Sequence, residues 1–181
     1  VVNAALLTLT PDTSLVSNGD TVSLELIVSG LGNFAPDSLG AFDISVNYDA
    51  SALAFADYSL GNFLGDLAGF TALDVSGGDT GAEVNVAEIS LLLPASLDAL
   101  QPDEFFLASL SFDVINLAPG ATTNLSILGG AVLSNANGAP LPVTSARGAT
   151  IEAIPLPGTL FLMLSGLLGW RVSTQARRPC V

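Results

Sequence analysis

The chain has 181 residues, of which 17 are Asp or Glu against four Arg, with no Lys and no His, for a formal charge of −13. Four cations are too few to displace counterions along a phosphate backbone, which sets nucleic-acid binding aside. The absence of histidine removes the commonest neutral-pH base and metal ligand, so ordinary enzyme chemistry is disfavoured.

After Val1 the chain reads Val2-Asn3-Ala4, whose small and apolar residues fit the end of a secretory signal cleaved before Ala5. Residues 1–4 are accordingly set apart as a signal remnant, the alternative being a first strand that runs from Val1. A strand is predicted over 6–9. If it lies at a sheet edge, Leu6, Leu7 and Leu9 would offer an assembly edge, adding to a neighbour's sheet and giving a homopolymer. Alternation is plain over 21–29, with Val22, Leu24, Leu26 and Val28 on one face and Ser23, Glu25 and Ser29 on the other. It is plainest over 40–48, where Phe42, Ile44, Val46 and Tyr48 point inward and Asp43, Ser45 and Asn47 outward. Further strands are predicted over 53–58, 70–75, 82–92, 105–115, 123–128, 131–133 and 148–153. Turns are set by Asn18-Gly19-Asp20, Gly30-Leu31-Gly32, Ser76-Gly77-Gly78-Asp79, Pro119-Gly120 and Asn137-Gly138. Residues 60–67 and 94–100 are the best short helical or irregular crossings. Strands at this spacing predict an all-β sandwich of two packed sheets. Because the single cysteine is Cys180, no intrachain disulfide supports it and the core must hold itself.

Candidate chemistry is sparse. Asp74, Asp79 and Glu83 flank Gly77-Gly78 and would suit a hard cation, calcium above all, through oxygen ligands; the alternative is a solvated acidic loop. The serines have no His or Lys base, and no Gly-x-Ser-x-Gly motif is present. Aromatic residues fall mostly at inward positions. Phe34, Phe63, Phe70 and Tyr58 are the exceptions to test as a sugar platform, against ordinary loop or core packing. No phosphate loop or dinucleotide fingerprint is found, so no organic cofactor is expected.

All 17 acids lie between Asp12 and Glu152, and with Arg147 as the one base there they leave that stretch at −16. From Ile154 onward the chain has three arginines and no acid, which marks a boundary. The segment reads Ile154-Pro155-Leu156-Pro157, an uncharged run from Gly158 to Trp170, then Arg171 and the pair Arg177-Arg178. Thirteen residues in a helix reach about 20 Å, short of the ~30 Å hydrocarbon core, so length alone leaves a membrane span and a buried terminal helix equally open. The motif, the short apolar helix and the arginine cluster together resemble the PEP-CTERM sorting signal of bacterial exported proteins, in the variant with V-P-L-P for V-P-E-P. This tail departs from the pattern in Leu156 and in the Pro179-Cys180-Val181 that follows the arginines. The resemblance implies export, transient membrane anchoring through 158–172, and processing near the Pro motif by an exosortase.

The body carries a second resemblance. Asn18-Gly19-Asp20-Thr21-Val22, then Leu39-Gly40-Ala41-Phe42 leading to Val46-Asn47-Tyr48-Asp49 and Leu53, and later Leu107-Ala108-Ser109-Leu110-Ser111-Phe112, are similar to the strands of cohesin-type domains. The resemblance implies a jelly-roll β-sandwich of about nine strands over 5–153; the sorting tail of 154–181, with its short hydrophobic helix, follows it. Cohesins of cellulosomes bind dockerin modules through one sheet face. The expected function is a non-enzymatic, exported structural or interaction protein of the cell surface or extracellular matrix, able to form a homo-oligomer. The alternative is a carbohydrate-binding module associated with secreted polysaccharide.

Overall fold

A computed structural model describes residues 4–155. Two sheets pack face to face, and their inner surfaces are the alternating apolar sets of the sequence. In chain order the strands are β1 (Ala5–Pro11), β2 (Leu15–Val16), β3 (Thr21–Ser29), β4 (Leu39–Asn47), β5 (Leu53–Leu60), β6 (Ala72–Asp74), β7 (Gly78–Asp79) and β8 (Glu83–Ser90). Helix α1 (Pro94–Leu100) precedes β9 (Glu104–Val114), β10 (Thr122–Ile127), β11 (Val132–Asn135), β12 (Pro140–Leu141), β13 (Val143–Arg147) and β14 (Ala149–Ala153). The all-β expectation holds. The strand segments outnumber the expected nine because short pieces such as β2, β7 and β12 pair without any hydrophobic run to announce them.

The first sheet is ordered β13-β1-β3-β9-β5. The second runs β12-β11-β4-β10-β14-β2, and β8 pairs along the other side of β4 and carries β6 and β7. Strand β4 is therefore the hub of the second sheet. Its side chains Phe42, Ile44 and Val46 are buried, as are Val22, Leu24, Leu26 and Val28 of β3. Phe112 of β9 lies fully buried with Tyr48 at 5.0 Å and Phe55 at 5.7 Å between ring centroids. A buried Leu or Phe contributes roughly 1.5–3 kcal/mol, so this inner layer is what holds the two sheets together.

The assembly-edge expectation for Leu6, Leu7 and Leu9 needs correction. Strand β1 is second in its sheet: β13 pairs parallel with it from Ala5 to Thr8, and β3 covers its other side. Leu7 and Leu9 point into the core and are buried. The covering strand, Val-Thr-Ser-Ala-Arg, has no apolar alternation and is almost wholly exposed, so nothing in its composition marks it as a strand. From β13 the chain passes directly to β14 in the other sheet through Gly148, where a Cβ would collide with the Leu125 carbonyl oxygen. Only glycine permits that crossing.

One end of the sandwich is a crown of three connections, 30–38, 61–71 and 91–103. Gln101 ties them together. Its buried side-chain amide accepts from the Leu39 N–H at 2.7 Å and donates to the carbonyls of Leu39 at 2.8 Å and Phe63 at 3.0 Å. Residues 12–20, 48–52 and 115–121 form the opposite end, and Ile154 leaves there, its N–H bonded to the Val16 carbonyl.

Candidate functional site

The outer surface of the second sheet is where unpaired apolar side chains gather. The β4–β8 register sets Ala41 opposite Ile89, Asp43 opposite Ala87, Ser45 opposite Asn85 and Asn47 opposite Glu83, all on the outer face. On the flanks, Val132 of β11 lies opposite Asp43, and Leu73 of β6 opposite Ile89. Val132 is 58% exposed, Val75 50%, Leu73 44% and Ile89 41%, values that place large apolar groups in water on a sheet face. Ala41 and Ala87 are small, so the face dips between them. The result is a trough of about 200 Å³ with Val75 and Ile89 on one wall and Val132 and Ser134 on the other. Leu91 and Leu93 continue the apolar surface toward the crown.

Polar bonds close the other end of the trough. The Asn85 amide donates to Asp43 at 2.6 Å and to Ser45 Oγ at 3.3 Å, while its oxygen accepts from the Gly77 N–H at 2.8 Å. Ser76 extends the hold on the edge, donating to the Ala87 carbonyl at 3.3 Å and accepting from its N–H at 3.0 Å.

Beneath the face sits a buried acid. Glu88 occupies the inward parity of β8 shared by Val84 and Val86, and it is fully buried with both carboxylate oxygens lacking any hydrogen bond. Its register partners are Phe42 on β4 and Asp74 on β6. Burial first, and the neighbouring Asp74 charge second, push its carboxyl up to about 7. The signal was present in the sequence as a glutamate at an inward position of the strand predicted over 82–92.

The structure does not bring Asp74, Asp79 and Glu83 together as a ligand group. Asp74 pairs with Glu88 along β8 and Asp79 with Val84, four residues apart, which is about 13 Å of strand. Each aspartate serves a tyrosine of the sandwich instead. Tyr58 donates to Asp74 and Tyr48 to Asp79, both at 2.8 Å, and backbone N–H groups of Ser76 and Gly81 complete the two carboxylates. Burial opposes the charge on Asp74, but the Ser76 and Tyr58 hydrogen bonds outweigh it and hold the carboxyl below its ordinary value. Burial and then the Asp79 contact push the Tyr48 hydroxyl up to about 12. Among the described residues no three acidic or thiol side chains come together as metal ligands.

The four aromatic candidates separate into two pairs. Phe63 packs on Phe105 at 5.1 Å and Tyr58 on Phe55 at 6.5 Å, both as parts of the interior margin. Phe34 and Phe70 are exposed, at φ 51° and 56°, but on different crown connections and not in a row on a sheet face. Of the sorting motif, Ile154 is half-exposed and Pro155 ends the described chain; Leu156, Pro157, Arg171, Arg177 and Arg178 lie outside the described residues, as does the predicted helix over 158–172. No described helix is long and apolar enough to cross a membrane.

No protein-family model and no curated relative matches the sequence. Solved structures do match in shape. A type II cohesin domain from the cellulosome of Acetivibrio cellulolyticus superposes with a TM-score of 0.65 at 17% identity, covering 82% of this chain and 95% of that one. A cohesin module of a family 33 glycoside hydrolase from Clostridium perfringens gives 0.65 at 12%, covering 84% and 98%. A type I cohesin–dockerin complex from Clostridium thermocellum gives 0.64 at 8%, covering 84% of this chain and 100% of that one. The β-sandwich of residues 5–153 therefore has the cohesin fold.

Proposed function

We propose that this chain is a non-catalytic docking module that binds a protein partner on the outer face of β11, β4, β8 and β6. The observation that carries this reading is the apolar trough walled by Val75, Ile89 and Val132 on a sheet face that water would otherwise cover with polar groups. Support comes from the cohesin fold, since one solved cohesin of that shape is itself held in a complex with a dockerin. The partner suited to the trough presents one or two apolar side chains to its floor and polar or basic groups to the acidic surroundings. The module acts outside the cell, and the tail of residues 154–181 acts as the sorting segment, anchored through 158–172 until an exosortase-type enzyme processes it. This reading is supported by the Pro motif and arginine cluster, and by Ile154 leaving at the end opposite the crown. A tail held at a membrane would present the crown and the trough's open end outward.

Site-specific photo-crosslinking in the producing cells tests the docking face. A photoreactive residue at Ile89 or Val132 is expected to trap one and the same protein, while the same residue at Ser111 on the other outer face traps none. A mass equal to two chains would identify the partner as a second copy. The reading fails if Ile89 and Val132 give no adduct, or if Ser111 gives the same one.

A further inference from the structure

The border of the docking face rests on a short strand. Strand β6 has three residues, pairs with β8 alone, and sets Leu73 beside Ile89 on the outer face, with Val75 following in the wall of the trough. Its last residue, Asp74, is exposed at the sheet border, is ionised and lies directly across from Glu88. The other groups around Glu88 give it no compensation: Phe42 faces it from β4, with Asp43 beyond on the outer surface, and from β5 Tyr58 is bonded to Asp74, with Asp57 nearby in sequence. The one cation between residues 4 and 155, Arg147, pairs with Thr8 in the opposite sheet. A buried carboxylate without a hydrogen bond or counter-ion is costly, and like charges directly opposite on paired strands add to that cost.

We propose that Glu88 is a proton-operated latch on the β6 border of the docking face: neutral, it lets β6 stay seated on β8, and ionised, it drives β6 off to reach water, taking Leu73 and Val75 out of the face. Separation of β6 is the cheapest route to solvent. It breaks one three-residue ladder, the bonds of Val75 and Ser76 to Ala87 and the Tyr58–Asp74 bond, whereas the β4 side of β8 is paired over seven residues. The consequence for binding rests on the docking reading, but the latch itself does not. Once β6 lifts, the carboxyl returns to its ordinary value of 4.5, so opening is favoured as pH rises from there toward about 7 and levels off above. With those two values the opening equilibrium rises on the order of fifty-fold between pH 5 and pH 8.

Amide hydrogen exchange on the full chain without any partner measures this directly. After correction for base-catalysed intrinsic exchange, protection of residues 72–76 in the wild type is expected to fall on the order of fifty-fold from pH 5 to pH 8 and to stay below that of β3 and β9, which exchange through global unfolding. Glu88→Gln and Glu88→Met should abolish the fall, the second serving if the first does not fold. A wild-type protection that stays flat with pH, or a fall that persists in both variants, overturns the latch. Crosslinking from Ile89 reports on the docking face separately, so either reading can fail alone.

Discussion

The two outer faces of the sandwich are built from the same alternation but differ in what they expose to water. On the first sheet, outward positions away from the crown are hydroxyls and carboxylates, Thr8 and Thr10 on β1, Ser23 and Glu25 on β3, Ser109, Ser111 and Asp113 on β9, while nearer the crown Leu6, Ile27 and Phe106 face outward, partly buried. The polar groups bond to one another across the ladder, Ser23 to Ser111 at 3.3 Å and Thr21 to Asp113 at 2.7 Å. On the second sheet the corresponding positions include Ala41, Ala87, Ile89 and Val132, of which Ile89 and Val132 stand exposed. The inner faces differ in the reverse sense, because β3 turns four fully buried aliphatic residues inward whereas β8 turns Val84, Val86 and an unpartnered Glu88. The first sheet keeps apolar residues inside and, away from the crown, polar ones outside; the second breaks that rule on both surfaces at the same strand. Departures of that kind cost stability, and their concentration on β8 and its neighbours marks that region as serving something other than folding.

Removing what both faces share should have the largest effect. Phe112 lies under the first sheet and touches Tyr48 and Phe55, so Phe112→Ala is expected to cost about 3–5 kcal/mol, read as a lower midpoint in urea. A loss below about 1 kcal/mol would mean that the sheets do not pack as described.

Glu88 sharpens the contrast between the inner faces. Because its folded value of about 7 lies above the ordinary 4.5, the folded chain keeps a proton that the unfolded chain has released in that window. Stability is therefore full below about pH 4.5, declines through the window and is level above it, by roughly 3 kcal/mol in total at 1.36 kcal/mol per unit. Replacing Glu88 by Met removes both the charge and the unpaired oxygens, so the variant should gain roughly 3 kcal/mol at pH 8 and lose this slope. Equilibrium unfolding at pH 5 and pH 8 decides it; equal slopes in both proteins would place the pH dependence elsewhere among the 17 acids.

The regular half of the molecule was legible in the sequence. The strand expected over 21–29 is β3 to the residue, the crossing over 94–100 is α1, and the inward set Phe42, Ile44, Val46 is the buried face of β4. These segments obey a local period, and burial follows the period. What escaped was decided by pairing across long separations. Strand β13 has no period of its own and exists because β1 offers it a ladder, which is also why Leu6, Leu7 and Leu9 are not an edge. Asp74, Asp79 and Glu83 are close in sequence, yet successive pairing along β8 draws the two aspartates apart toward two tyrosines. The trough itself needed register: Ile89 reads as outward from Val84 and Val86, but only the β4 and β6 ladders place it beside Ala41 and Leu73.

The smallest stability effect is the most informative about the faces. Ile89→Asp and Ser111→Asp each put a carboxylate on an outer surface, one in the apolar trough and one in the hydroxyl lattice. Neither position contributes to the core, so each should change stability by about 0.5 kcal/mol or less, within the range of ordinary surface substitutions. Partner capture should separate them, because a charge on the trough wall must be desolvated on docking whereas one on the lattice stays in water. Binding lost for Ile89→Asp and kept for Ser111→Asp, at matched stability, would locate the function on the second sheet. Equal losses would mean that the apolar face is a feature of folding, and equal retention that the partner sits on neither face.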